Sequence, residues 1–162
     1  MPKKYIILGF VVLLVIIVIS VFAASNSTVK TVSPDDPNRP IAKVEETSFD
    51  LGKMNEKDTK DHEFKITNTG KSNLVLSEMS TSCMCTYGYI IKSDGTKSPQ
   101  FSMHGGFDNK TEVAPGDSVM AQVIYQPSLM PVEGPVERYA SIGTNDPNMP
   151  KVELEVKADV AK

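Results

Sequence analysis

From Lys151 to Val160 the chain alternates polar and apolar residues without a break, K-V-E-L-E-V-K-A-D-V. Side chains of an extended strand point to opposite faces in turn. Val152, Leu154, Val156, Ala158 and Val160 therefore share an inward face, and Glu153, Glu155, Lys157 and Asp159 face water. The same period of two recurs in S-V-M-A-Q-V-I-Y, which puts Val119, Ala121, Val123 and Tyr125 on one face. It recurs in H-E-F-K-I-T, with Phe64 and Ile66 inward and His62 in phase with them. Weaker strand signals supply Ile41, Val44, Phe49, Leu51, Leu74, Leu76, Tyr139 and Ile142 as further core candidates. Between them stand turn residues: Gly52, which would end its strand, N-T-G at Asn68–Gly70, and N-D-P at Asn145–Pro147. No stretch beyond residue 40 sustains a 3.6-residue period. About seven short strands divided by such turns predict an all-β, antiparallel two-sheet sandwich over residues 41–162. Two longer excursions, Tyr87–Thr111 and Pro127–Pro135, are the expected loops.

The N-terminus follows a different pattern. Tyr5–Ala24 carries no charge, about the 20 residues that a helix needs to cross a bilayer. Lys3 and Lys4 precede it, so the positive-inside rule predicts a cytoplasmic tip at 1–4, a transmembrane helix at 5–24 and an exported remainder. A cleaved signal peptide is the competing reading, and its apolar region would be shorter. Residues 25–40, with three prolines and little apolar content, read as a flexible linker. The expectation is a single-pass protein of the cell membrane whose domain lies in the periplasm or outside the cell. The lipid bilayer would be its contact through 5–24.

Net charge is −3, and no basic cluster is dense enough to neutralise a phosphate backbone, which argues against nucleic acid. Ordinary catalytic patterns are missing too: there is no glycine-rich phosphate loop and no H-E-x-x-H. This combination points to a non-enzymatic, membrane-anchored module that binds a partner protein, with integral membrane subunits as candidates.

Chemistry concentrates in S-C-M-C-T, where Cys83 and Cys85 are the only cysteines. On a strand they point to one face with Cα atoms roughly 6.5–7 Å apart, at the edge of disulfide reach, so a Cys83–Cys85 disulfide needs a bend in the chain. Such a bond closes a very small loop, constrains the unfolded chain little and leaves a redox role open. Two thiolates on one face would also suit Cu(I), with Met103 and His104 in the following loop as co-ligands. Two inert, buried cysteines are the third reading.

Several ordered pieces resemble the bacterial family called domain of unknown function 1573: F-D-L-G at Phe49–Gly52, H-E-F-K-I-T-N-T-G-K at His62–Lys71, L-V-L at Leu74–Leu76, S-C-M-C-T at Ser82–Thr86, A-P-G-D at Ala114–Asp117 and T-N-D-P at Thr144–Pro147. The resemblance spans about residues 41–160. It implies an immunoglobulin-like sandwich related to domains of ciliary and centrosomal scaffold proteins, often exported or anchored, with no general enzymatic activity. Members often carry glycine between the two cysteines, where this chain has Met84.

Overall fold

The computed structural model describes residues 33–105 and 110–161. Nine strands follow in order: β1 (Ala42–Val44), β2 (Ser48–Asn55), β3 (Lys60–Asn68), β4 (Leu74–Thr81), β5 (Thr86–Ile91), β6 (Thr111–Val113), β7 (Ser118–Tyr125), β8 (Gly134–Thr144) and β9 (Lys151–Ala161). A 3₁₀ turn, Pro127–Leu129, links β7 towards β8. The strands form a four-stranded sheet in the order β1-β3-β7-β5 and a five-stranded sheet in the order β2-β9-β8-β4-β6.

The strongest alternating segments form the middle of these sheets. Phe64 and Ile66 on β3 and Val119, Ala121, Val123 and Tyr125 on β7 are buried, as are all five inward residues of β9. They belong to one apolar core with Leu51, Met54, Leu74, Leu76, Met79, Ala140 and Ile142. Fully burying one such aliphatic or aromatic side chain contributes about 1.5–3 kcal/mol. Tyr139 departs from expectation. It is 39% exposed, because in β8 the inward phase belongs to Val136, Ala140 and Ile142.

Sheet edges are short or covered. β1 and β6 have three residues each. The Lys60 ammonium donates to the carbonyls of Leu51 and Lys53 on the free side of β2, each at 2.8 Å. β5 is shielded by bridges from Phe101 to Gly88 and from Lys97 to Ile91. Unpaired edges are templates for aggregation, and these devices blunt them.

Four expectations are corrected. The antiparallel sandwich is in fact a mixed structure: β2 runs parallel to β9, Ser48 opposite Glu155 through Asn55 opposite Ala161. Alternation assigns a face to a residue but does not choose the neighbouring strand, so this long-range pair has no local signature. Gly52, with φ +69°, does not end a strand; it forms a bulge inside β2 across which the register shifts. The excursion from Tyr87 to Thr111 opens with strand β5 and buries Phe101 completely. Finally, among the described residues no helix is long and apolar enough to cross a membrane. The transmembrane helix, single-pass topology, bilayer contact and membrane subunits expected from the sequence thus find no support among the described residues. An uncharged run shows that a helix would be long enough to span, which is not evidence that one forms. The segments concerned, 1–4 and 5–24, lie outside the described residues. So does the 25–32 part of the linker, whereas residues 33–40 make turns and Pro40 is buried.

Candidate functional site

Cys83 and Cys85 do not lie on a strand. They occupy the turn through which the chain passes from β4 in one sheet to β5 in the other. The turn draws their Cα atoms to 5.3 Å, well within disulfide range, and the two cysteines are bonded to each other. The bend that extended geometry would not supply is thus supplied by the crossing between sheets. Met84, at the tip, projects into solvent, 56% exposed.

Backbone and hydroxyl groups hold this turn from three sides. The one hydroxyl proton of Thr81 is shared between the carbonyls of Cys83 (3.0 Å) and Thr86 (2.8 Å). The Thr86 amide donates to the Cys83 carbonyl at 3.3 Å, and the Gln126 amide, just past β7, donates to the Cys85 carbonyl at 2.9 Å. Ser82 joins the turn to β8: its amide donates to the Tyr139 carbonyl and its Oγ accepts from the Tyr139 amide, both at 2.9 Å.

The two sulfurs have different surroundings. Cys83 is 8% exposed and its Sγ lies 3.3 Å from Thr86 Oγ1. Cys85 is fully buried, and its Sγ accepts from Arg138 Nε at 3.3 Å. The Arg138 guanidinium carbon also stands 5.6 Å from the centroid of the Tyr125 ring. Tyr125 is fully buried, and its hydroxyl has no hydrogen-bond partner among the described residues. Burial pushes this phenol's pKa above the usual tyrosine range, with the Arg138 charge working in the opposite direction.

Arg138 was not picked from the sequence, and Tyr125 was read there only as an inward strand residue, not as part of a site. A signal for Arg138 existed. In β8 it falls in phase with buried Val136, Ala140 and Ile142, and a charged residue in a core phase requires a partner. Met103 and His104 sit in a turn whose Ser102 carbonyl accepts from the Thr81 amide, and both side chains are exposed.

The copper reading is corrected on these facts. A disulfide sulfur has no thiolate to offer a soft ion. Among the described residues no group of three or more His, Cys, Asp and Glu is assembled that would hold a metal, so Cys83, Cys85, Met103 and His104 form no copper centre. The membrane anchoring expected for a partner-binding module finds no span among the described residues.

Other motif residues are structural. Asn68 Nδ2 donates to the carbonyls of Ser72 and Val113, both at 2.8 Å, which fixes the N-T-G turn. His62 stacks on Phe49 with centroids 3.6 Å apart, and its Nε2 lies 3.1 Å from Glu46 Oε2.

Comparison with known proteins places this geometry in context. A family model described as "Protein of unknown function (DUF1573)" matches residues 42–160. A crystal structure of a protein of unknown function from Porphyromonas gingivalis W83 is similar at 20% identity and TM-score 0.59; the match covers 82% of this chain and 51% of that one. The chain thus spans about half the length of that relative. The ASH / PapD-like domain of human CEP192 (PapD-like domain 7) is similar at 9% identity and TM-score 0.50, covering 83% of this chain and 92% of that domain. At such identities the likeness shows the fold alone. It is a distant likeness to a PapD-like fold and establishes neither the immunoglobulin-like expectation nor a link to ciliary or centrosomal scaffolds. No curated protein matches the chain.

Proposed function

We propose, for a chain that belongs to the DUF1573 family, that it works as a thiol–disulfide redox module through Cys83 and Cys85. The observation that carries this reading is a disulfide with almost no structural task. It encloses a single residue, so it removes little entropy from the unfolded chain. The turn it closes is already held by Thr81, Gln126 and Ser82. A bond that is not required as a staple can open and close while the fold stays intact. Cys83, 8% exposed and next to exposed Met84, gives a partner thiol its route of approach. The partner would be a dithiol or disulfide, on a protein or a small molecule.

The test uses the full chain under native conditions. It is equilibrated with graded ratios of reduced and oxidised dithiothreitol or glutathione and quenched with an alkylating agent. Mass spectrometry then counts free thiols while circular dichroism follows the fold. The expected result is reversible gain of two thiols with unchanged β signal. A pair that stays closed in excess dithiol until denaturant is added would sink the redox function.

A further inference from the structure

We infer that the two sulfurs play unequal parts: an incoming thiolate attacks Cys83 Sγ, and Cys85 leaves as a thiolate held by Arg138. The inference rests on the redox reading above and deepens it by assigning the direction of attack and a further catalytic residue.

The first support is access. Cys85 is fully enclosed, whereas Cys83 is 8% exposed, so an incoming thiolate has its access on the Cys83 side. The second is the leaving group. Exchange is faster when the departing sulfur is a better-stabilised thiolate. A guanidinium donor lies 3.3 Å from Cys85 Sγ, whereas Cys83 Sγ has a neutral threonine hydroxyl at the same distance. The third is the state of these donors in the oxidised protein. Arg138 Nε, at an inward-phase position, faces a disulfide sulfur, which is a weak acceptor. A negative charge forming on Cys85 would meet the Arg138 donor already in place, and a donor fixed where charge develops favours the step that forms it.

The chemistry balances with a dithiol as reductant. Its thiolate forms a bond to Cys83 Sγ, the Cys83–Cys85 bond breaks, and the electron pair goes to Cys85 Sγ beside Arg138. The second thiol of the reductant, as thiolate, then attacks its own sulfur in the mixed disulfide and expels Cys83, which takes a proton from water. The reductant becomes a disulfide and the chain gains two electrons. Oxidation runs the same steps backward, with Cys83 carrying the mixed disulfide and Cys85 resolving it.

Met84 makes the assignment measurable, because cyanogen bromide cleaves after methionine and separates the two cysteines. The folded wild-type chain is treated with excess glutathione and acid-quenched at early times. Free thiols are alkylated, the chain is cleaved at Met84, and the fragments are weighed. Glutathione on Cys83 with the alkyl label on Cys85 is the expected pattern. Glutathione on Cys85, or shared evenly between the two, overturns the inference and leaves the redox function standing. A wild-type pair that never reacts while folded removes both. In parallel, R138M should slow reduction by about tenfold or more, and R138K should recover part of that rate through its charge. An R138M rate equal to wild type, in a variant with an unchanged circular dichroism spectrum, also overturns it. The mapping on wild type stands whether or not the variants fold.

Discussion

Tyr139 lies on the outer face of β8, where its one hydroxyl proton is shared between Glu155 Oε1 at 2.9 Å and Glu137 Oε2 at 3.1 Å. Ionising the phenol would destroy both bonds and add a third negative charge beside two carboxylates. The Glu155 hydrogen bond, then the one to Glu137, pushes its pKa from an ordinary 10.0 up to about 12. A phenol held above its unfolded pKa contributes stability that is fully present below about pH 10 and lost as pH rises through about 12. Ultraviolet titration of phenolate, as the difference between wild type and Tyr139→Phe, should show this midpoint. Glu155→Gln should move it back towards 10. A midpoint unaffected by Glu155→Gln would show that the pair does not exist in solution.

Among the elements, the turn between β8 and β9 does more than reverse the chain. Asp146, 2% exposed, accepts from the Ala42 amide at 2.9 Å, from the Asn148 amide at 3.0 Å and from Arg39 Nη1 at 3.3 Å. It therefore fastens three-residue β1, and the 33–40 segment before it, to the far sheet. Asp146→Ala strands the buried Ala42 amide, and an unsatisfied buried donor costs about 1–3 kcal/mol. Urea denaturation should record that loss, and amide hydrogen exchange should accelerate in β1 while β7 and β9 stay protected. Uniform protection in the variant would mean that β1 is held by other contacts.

Across the whole molecule, the core and the disulfide make opposite predictions. Phe64 is 1% exposed at the centre of the four-stranded sheet, and Phe64→Ala should cost about 3–5 kcal/mol. The double change Cys83→Ala, Cys85→Ala should cost less than about 2 kcal/mol, below the usual range for a disulfide, because so short a loop restricts the unfolded chain little. Both values come from the same denaturation experiment. A loss for the cysteine pair that matches the Phe64 loss would mark the bond as a staple after all.

The sequence by itself determined which residues face inward, because the period of two is a property of the extended backbone and needs no neighbour. Val152 through Val160, Val119 through Tyr125, and Phe64 with Ile66 are buried as their alternation requires. It also singled out the cysteine pair as the place for chemistry, since the chain has no other thiols. Only the tertiary structure decided which strands are neighbours. β2 and β9 pair from opposite ends of the domain, and alternation is equally content with any partner whose apolar face points inward. The same holds for the site. A strand would have kept the cysteines out of easy disulfide reach; the crossing from one sheet to the other bends them to 5.3 Å. Arg138 reaches Cys85 across 53 residues of chain. No local pattern encodes that contact, because it exists only once β8 and the turn after β4 have been packed side by side.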